Sequence, residues 1–192
     1  MSYELQAYAL SPVRPTPRAL LARTAESGLE VELVQAPGAE ARLDDAGWTR
    51  LLLRSSDAEK GGFLVESSPD LERMKDAFRE DRTAGDSIPE QVLDAGALYV
   101  LELDDESPGG EDHQAAFVVT AWALAGLTEA VVFDPQEEFF ADADTFWAVI
   151  TDESLGDEDG DGACDDDDDE SGDDGGKARG ASSDDDSPRT DG

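Results

Sequence analysis

Along residues 2–10, SYELQAYAL, apolar Tyr3, Leu5, Ala7 and Ala9 alternate with their neighbours, the period-two pattern of a half-buried strand. Pro12, Pro15 and Pro17 end that pattern. Thr16 before Pro17 sets an N-cap ahead of a first-turn proline, which predicts a helix through Ala25 that Gly28 closes. Leu29 to Val34 (LEVELV) alternates again, and Trp48 to Arg54 (WTRLLLR) and Gly62 to Glu66 (GFLVE) read as two strands joined by the turn-rich SSDAEKGG. Ser68 and Pro69 then open an amphipathic helix with Leu71, Met74, Ala77 and Phe78 on one stripe.

Ile88 to Leu93 reads as a short helical turn before the strand Leu98 to Leu103 (LYVLEL). From Gln114 to Leu127 the apolar residues Phe117, Val118, Ala121, Trp122 and Leu124 cover so much of a helix circumference that both of its sides must be covered. Ala130 to Phe133 is a short β-branched strand that Asp134-Pro135 breaks. Asp142 or Asp144 caps a last helix carrying Phe146, Trp147, Val149 and Ile150. Helices are interspersed among strands without strict alternation, so the expected fold class is α+β: a mixed or mainly antiparallel sheet with interspersed helices. Trp48, Trp122 and Trp147 fall on apolar faces and are expected in the core.

The stretch Trp122 to Gln136, WALAGLTEAVVFDPQ, combines an alanine-rich helix ending in Leu-Thr, a short apolar strand and Asp-Pro-Gln. It resembles a pattern in small uncharacterised bacterial α+β domains. The resemblance implies a helix–turn–strand unit at the end of a compact domain and carries over no functional residue.

From residue 156 onward the large apolar residues vanish, leaving Asp, Gly and Ser with little else. Such a segment cannot bury enough surface to offset an ordering cost of roughly 1–2 kcal/mol per residue. The expected organisation is one α+β domain over residues 1–155 and a disordered acidic tail over 156–192.

Charge adds a further division. The chain has 48 acidic and 14 basic residues, a formal net charge of −34. Residues 1–82 hold 15 acids and 11 bases, whereas residues 83–176 hold 29 acids and no Lys or Arg. That balance argues against binding a phosphate backbone, whose affinity comes from Lys and Arg, and against an anionic membrane surface. No signal peptide is evident at the N-terminus, and the longest apolar run, Ala115 to Leu127, falls short of the ~20 residues a bilayer needs. The expectation is a soluble, cytoplasmic protein. A single cysteine, Cys164, excludes an intramolecular disulfide, and a single histidine, His113, excludes a site that needs two.

The sharpest chemical pattern lies in the tail. Asp157, Asp159, Asp161, Gly162 and Asp165 fall at positions 1, 3, 5, 6 and 9 of a twelve-residue calcium loop, with Asp168 at position 12. Oxygen ligands at that spacing wrap a hard cation, and the string resembles one loop of EF-hand or type 3 thrombospondin kind. Against it, Asp168 reaches less far than the usual glutamate, and a run so acidic matches the register cheaply; diffuse cation condensation competes. No other cofactor is expected. His113, beside Glu111 and Asp112, reads as an exposed first-turn histidine. There is no G-x-S-x-G, no Walker loop and no dinucleotide fingerprint, so no catalytic motif marks an enzyme.

The leading expectation is therefore a non-catalytic interaction protein that binds a basic protein partner through an acidic surface, as an immunity protein or inhibitor of a basic toxin would. Charge speeds encounter and a few buried aromatic contacts hold the complex. The acid-rich loops supply the partner-binding candidates Glu102, Asp104, Asp105, Glu106, Glu111, Asp112, Glu137 and Glu138. Two alternatives stand beside it: an α+β domain whose acidity serves solubility or high-salt adaptation, and a tail that binds calcium.

Overall fold

The computed structural model of the chain describes residues 2–35, 41–80, 88–104 and 110–155, with the backbone alone at 110–112 and 153–155. Among them, seven strands form one sheet in the order β2-β3-β4-β5-β1-β6-β7. They are β1 (Ser2–Ala9), β2 (Val31–Val34), β3 (Arg50–Ser55), β4 (Phe63–Ser68), β5 (Ala97–Asp104), β6 (Ala130–Asp134) and β7 (Phe139–Ala141). Every pairing is antiparallel. With helices α1 (Pro17–Ala25), α2 (Leu71–Glu80), α3 (Glu90–Asp94), α4 (Gly110–Thr128) and α5 (Ala143–Leu155), the fold is α+β. The predicted tail lies outside the described residues.

Strand β1 is more deeply placed than its alternation suggested. Leu5, Ala7 and Ala9 join the main core, but Gln6 and Tyr8 on its other face are buried as well. The reason is position: β1 lies between β5 and β6, with helices on both sides. On one face α1, α4 and α5 cover Leu51 and Leu53 of β3, Phe63 and Val65 of β4, Tyr99 and Leu101 of β5 and Val132 of β6. On the other, Val92 and Ala95 close a second cluster over Tyr8, Leu98 and Val131, with Leu71, Met74 and Phe78 of α2 packed against it.

Helix α4 is the hub of the larger layer. Phe117, Ala121, Leu124 and Ala125 are fully buried, and Phe117 meets Tyr3 and Phe63 edge-on at 5.7 Å each. Across the layer Arg23 of α1 stands 4.3 Å over the Trp122 ring, which lies 4.6 Å from Trp147 of α5. This cation–aromatic ladder ties three helices together, each contact worth on the order of 1 kcal/mol. Trp48 and Trp122 are buried and Trp147 is half-buried. Thr16 caps α1 through its hydroxyl, which accepts from Ala19 N–H at 3.2 Å.

Three local readings change. His113 is fully buried, not exposed, because α4 begins before it at Gly110 and carries it under the β3–β4 hairpin. Its Nδ1 accepts from the Ser55 backbone N–H at 3.3 Å, so its proton sits on Nε2, which donates to the Lys60 carbonyl at 3.0 Å. On α2, Ala77 is exposed and Lys75 is buried in its place, its ammonium donating to the Ala95 carbonyl at 2.5 Å. Strand β7, Phe139–Ala141, extends the sheet beyond β6 where the sequence pattern shows only a loop.

Two loops are fixed by specific contacts. The guanidinium of Arg14 donates to the Trp48 carbonyl and to Ser67 Oγ at 2.8 Å, and lies 5.3 Å over the Trp48 ring. Gly62, with φ of 149°, sits against the strand opposite: a Cβ there would stand 2.5 Å from the Leu53 carbonyl oxygen.

Candidate functional site

The ends of β5 and β6 emerge at the same end of the sheet, because both run antiparallel to β1 and flank it. The last residues of β5 and the β6–β7 turn are thereby brought to one end of the sheet, its acidic edge, on either side of the first residues of β1. Glu102 and Asp104 are exposed at the end of β5, and Glu137 and Glu138 are exposed in the β6–β7 turn. Glu111 and Asp112 lie in the first turn of α4, with no described side chains. Asp105, Glu106 and the calcium-loop residues Asp157, Asp159, Asp161, Asp165 and Asp168 lie outside the described residues. Among the described residues no three His, Cys, Asp or Glu side chains are grouped to hold a metal ion.

Strand alternation divides this edge into two faces. Glu102 points to the face of α2, directly opposite Glu4 in the β1–β5 ladder. Like charges directly opposite each other on a sheet are destabilising. Glu4 accepts from Gln6 Nε2 at 2.6 Å, and Gln6 accepts in turn from the buried Tyr8 hydroxyl at 2.6 Å. Burial, with the Glu4 charge adding to it, pushes the Tyr8 phenol far above the ordinary tyrosine range. A groove of about 250 Å³ follows this face, lined by Glu4, Glu66, Asp70 and Glu102 with Arg73, Met74 and Val100 among them. Glu66 and Asp70 have basic partners, Arg50 at 3.6 Å and Arg73 at 3.4 Å. Glu4 and Glu102 have none among the described residues.

The other face carries a larger groove, about 540 Å³, between α4, α5 and the β6–β7 turn. Leu5, Phe146 and Asp134 form its buried floor, Val118, Phe139, Val149 and Ile150 its apolar walls, and Gln114 and Glu137 its exposed rim. Asp134 is held by the Tyr3 hydroxyl and by the backbone N–H groups of Gln136 at 2.9 Å and Glu137 at 3.3 Å. Those donors fix the turn, in which Glu138 takes a positive φ of 52°. Asp142 closes the unit by accepting from Thr145 N–H at 2.8 Å as the N-cap of α5, and that bond lowers its carboxyl below the usual range.

Positive charge is distributed very differently. The ion pairs Arg18–Asp44, Arg23–Glu26, Arg50–Glu66, Arg54–Glu32, Arg73–Asp70, Lys75–Glu72 and Arg79–Asp76 all lie within residues 18–79. Residues 83–176, which include β5, the β6–β7 turn and α5, contain no Lys or Arg.

The sequence singled out Glu102, Asp104, Glu137 and Glu138, and the structure places them at one edge but on more than one face. It adds Glu4 and Tyr3, and gives Asp134 and Phe139, which lie within the acid-rich stretch 134–144, their places in the floor and wall of the second groove. The only sequence signal for Glu4 was its polar phase in the alternation of β1; that it meets Glu102 depends on a pairing no local pattern contains. No helix among the described residues is long and apolar enough to cross a membrane. No family model matches the chain, and no curated protein or solved structure is significantly similar to it.

Proposed function

We infer that this protein is a non-catalytic interaction module whose acidic sheet edge binds a basic protein partner, in the manner of an immunity protein or inhibitor. The observation that supports the reading is the opposed pair Glu4 and Glu102, two carboxylates on adjacent strands neither of which makes an ion pair among the described residues, the nearby Arg73 being paired with Asp70. An arrangement that costs stability in the free protein is relieved when a partner's Lys or Arg enters the groove. A charge of this sign disfavours nucleic acid and anionic lipid, which leaves a basic protein as the partner class and an aqueous compartment such as the cytoplasm as its setting.

The test is Glu102→Gln in the full chain. It removes the like-charge opposition and is expected to stabilise the free protein by about 0.5 kcal/mol, within the 0.2–1 kcal/mol typical of cross-strand pairs. It is also expected to weaken retention of a basic partner captured from native lysate and eluted with salt. A variant that is less stable than the parent, or that retains its partner unchanged through the same salt series, removes the basis of the reading. The acidity is then surface solvation, as in proteins adapted to high salt.

A further inference from the structure

The apolar groove on the opposite face has a composition that an acidic rim alone does not require. Its apolar lining is Leu5 and Phe146 in the floor and Val118, Phe139, Val149 and Ile150 in the walls, and its polar members are accounted for in two ways. Tyr3 and Asp134 are engaged with each other and with the turn backbone, so Asp134 has its acceptor capacity largely used. Glu137 and Gln114 stand exposed at the rim. A volume of about 540 Å³ lies within the range of sites that bury a whole ligand group, and holds one large side chain with its flanking backbone. Tyr3, Phe139 and Phe146 bring three aromatic rings to the lining, a surface suited to an aromatic occupant.

Charge selects among occupants. The rim carboxylate Glu137 and its neighbour Glu138 belong to the stretch 83–176 that holds no Lys or Arg. A second copy of this chain would bring another net charge of −34 to the same edge. A basic segment is attracted by the same field. Interfaces of this kind are held by an aromatic anchor in a desolvated pocket beside a charge pair at its border.

We propose that the groove between α4, α5 and the β6–β7 turn receives one aromatic side chain of a basic protein partner, with an adjacent lysine or arginine meeting Glu137. This rests on the reading of the acidic edge given above and deepens it: the edge attracts, and the groove selects.

The experiment uses the full chain with labelled methyl groups and two probes, a lysine pentapeptide with tryptophan at its centre and the same peptide with alanine there. Burying an aromatic ring of 150–250 Å² gives a gross gain that ordering costs reduce, and a preference of about tenfold for the tryptophan peptide is expected. The accompanying shifts should centre on the methyls of Leu5, Val118, Val149 and Ile150. Filling the groove with Val149→Phe should abolish the preference while leaving the alanine peptide's affinity unchanged; Ile150→Phe serves if the first variant loses its fold by circular dichroism. Glu137→Gln should weaken both peptides alike.

Equal affinity for the two peptides, or a preference that survives groove filling, overturns the groove proposal and leaves the acidic-edge reading standing. Methyl shifts that follow protein concentration without peptide identify a second copy as the occupant and also overturn it. Failure of both peptides to bind at low salt removes both readings together.

Discussion

The buried histidine allows a quantitative test of how α4 is locked to the β3–β4 hairpin. His113 bonds to two backbone groups of that hairpin, Ser55 N–H and the Lys60 carbonyl, and its ring lies 6.4 Å from that of Phe63. His113→Phe keeps a ring in the space and removes both bonds. Ser55 is buried, so its N–H loses its His113 acceptor in a place water reaches poorly, at about 1–3 kcal/mol. Lys60 is exposed, so its carbonyl turns to water at smaller cost. The expected loss is about 2 kcal/mol, or about 4–8 °C in Tm for a chain of this size. Urea unfolding at fixed ionic strength measures it, and hydrogen exchange should show the Ser55 amide losing protection first. A Phe variant within about 0.5 kcal/mol of the parent would refute the argument, as would nitrogen shifts placing the parent's imidazole proton on Nδ1.

Other positions test separate parts of the account. Gly62→Ala is expected to cost about 3 kcal/mol, since the added methyl meets the Leu53 carbonyl at 2.5 Å, whereas Gly28→Ala, at φ 88° with open space around it, should cost about 1 kcal/mol; equal losses in urea melts would contradict the geometry. Asp142→Ala should destabilise α5 by about 1 kcal/mol at neutral pH. Because the Asp142 carboxyl is lowered in the folded state, its contribution is full above the ordinary value of about 3.9 and is lost as pH falls through the lowered one, so parent and variant stabilities should converge in acid. Burial raises the phenols of Tyr8 and Tyr99, in the second case against the pull of the Arg14 guanidinium. Their contribution is therefore intact below the ordinary value of about 10 and is lost at higher pH, where the unfolded chain ionises and the folded one does not. Absorbance at 295 nm should show both ionising only together with loss of near-ultraviolet circular dichroism; reversible titration near pH 10 with that signal intact would count against it.

Alternation and caps made most of the elements legible. β1 and β2 carry their apolar residues at period two, β3, β4 and β5 stand out as short apolar runs between turn residues, and Thr16 and Asp142, one of the two caps offered for the last helix, mark the starts of α1 and α5. Strand β7 escaped because three residues, Phe139–Ala141, are too few to show a period. Its turn also lacks the usual glycine: Glu138 occupies the left-handed region at φ 52°, as Glu129 does at φ 53° after α4. Lys75 replaced Ala77 as the inward residue of α2 because its ammonium finds the Ala95 carbonyl, a partner supplied by a different element. The candidate site shows the same division. Its acids could be named from charge runs, but the opposition of Glu4 to Glu102 and the groove below Glu137 arise from strand order and helix packing. Both depend on contacts between distant parts of the chain.

The placement of β1 has a consequence for the order of folding. β1 precedes the other six strands of this sheet in the chain but lies inside it, where Ala9 pairs with Ala97 on one side and with Ala130 on the other. The β2-β3-β4 meander can assemble from neighbours in the chain, but it reaches β1 only through β5. Until β5 and β6 are synthesised, β1 has two unsatisfied edges, and closing it requires two long loops at once. Folding should therefore be limited by the capture of β1, and a chain lacking residues 2–9 should leave β6 and β7 unjoined to the rest of the sheet.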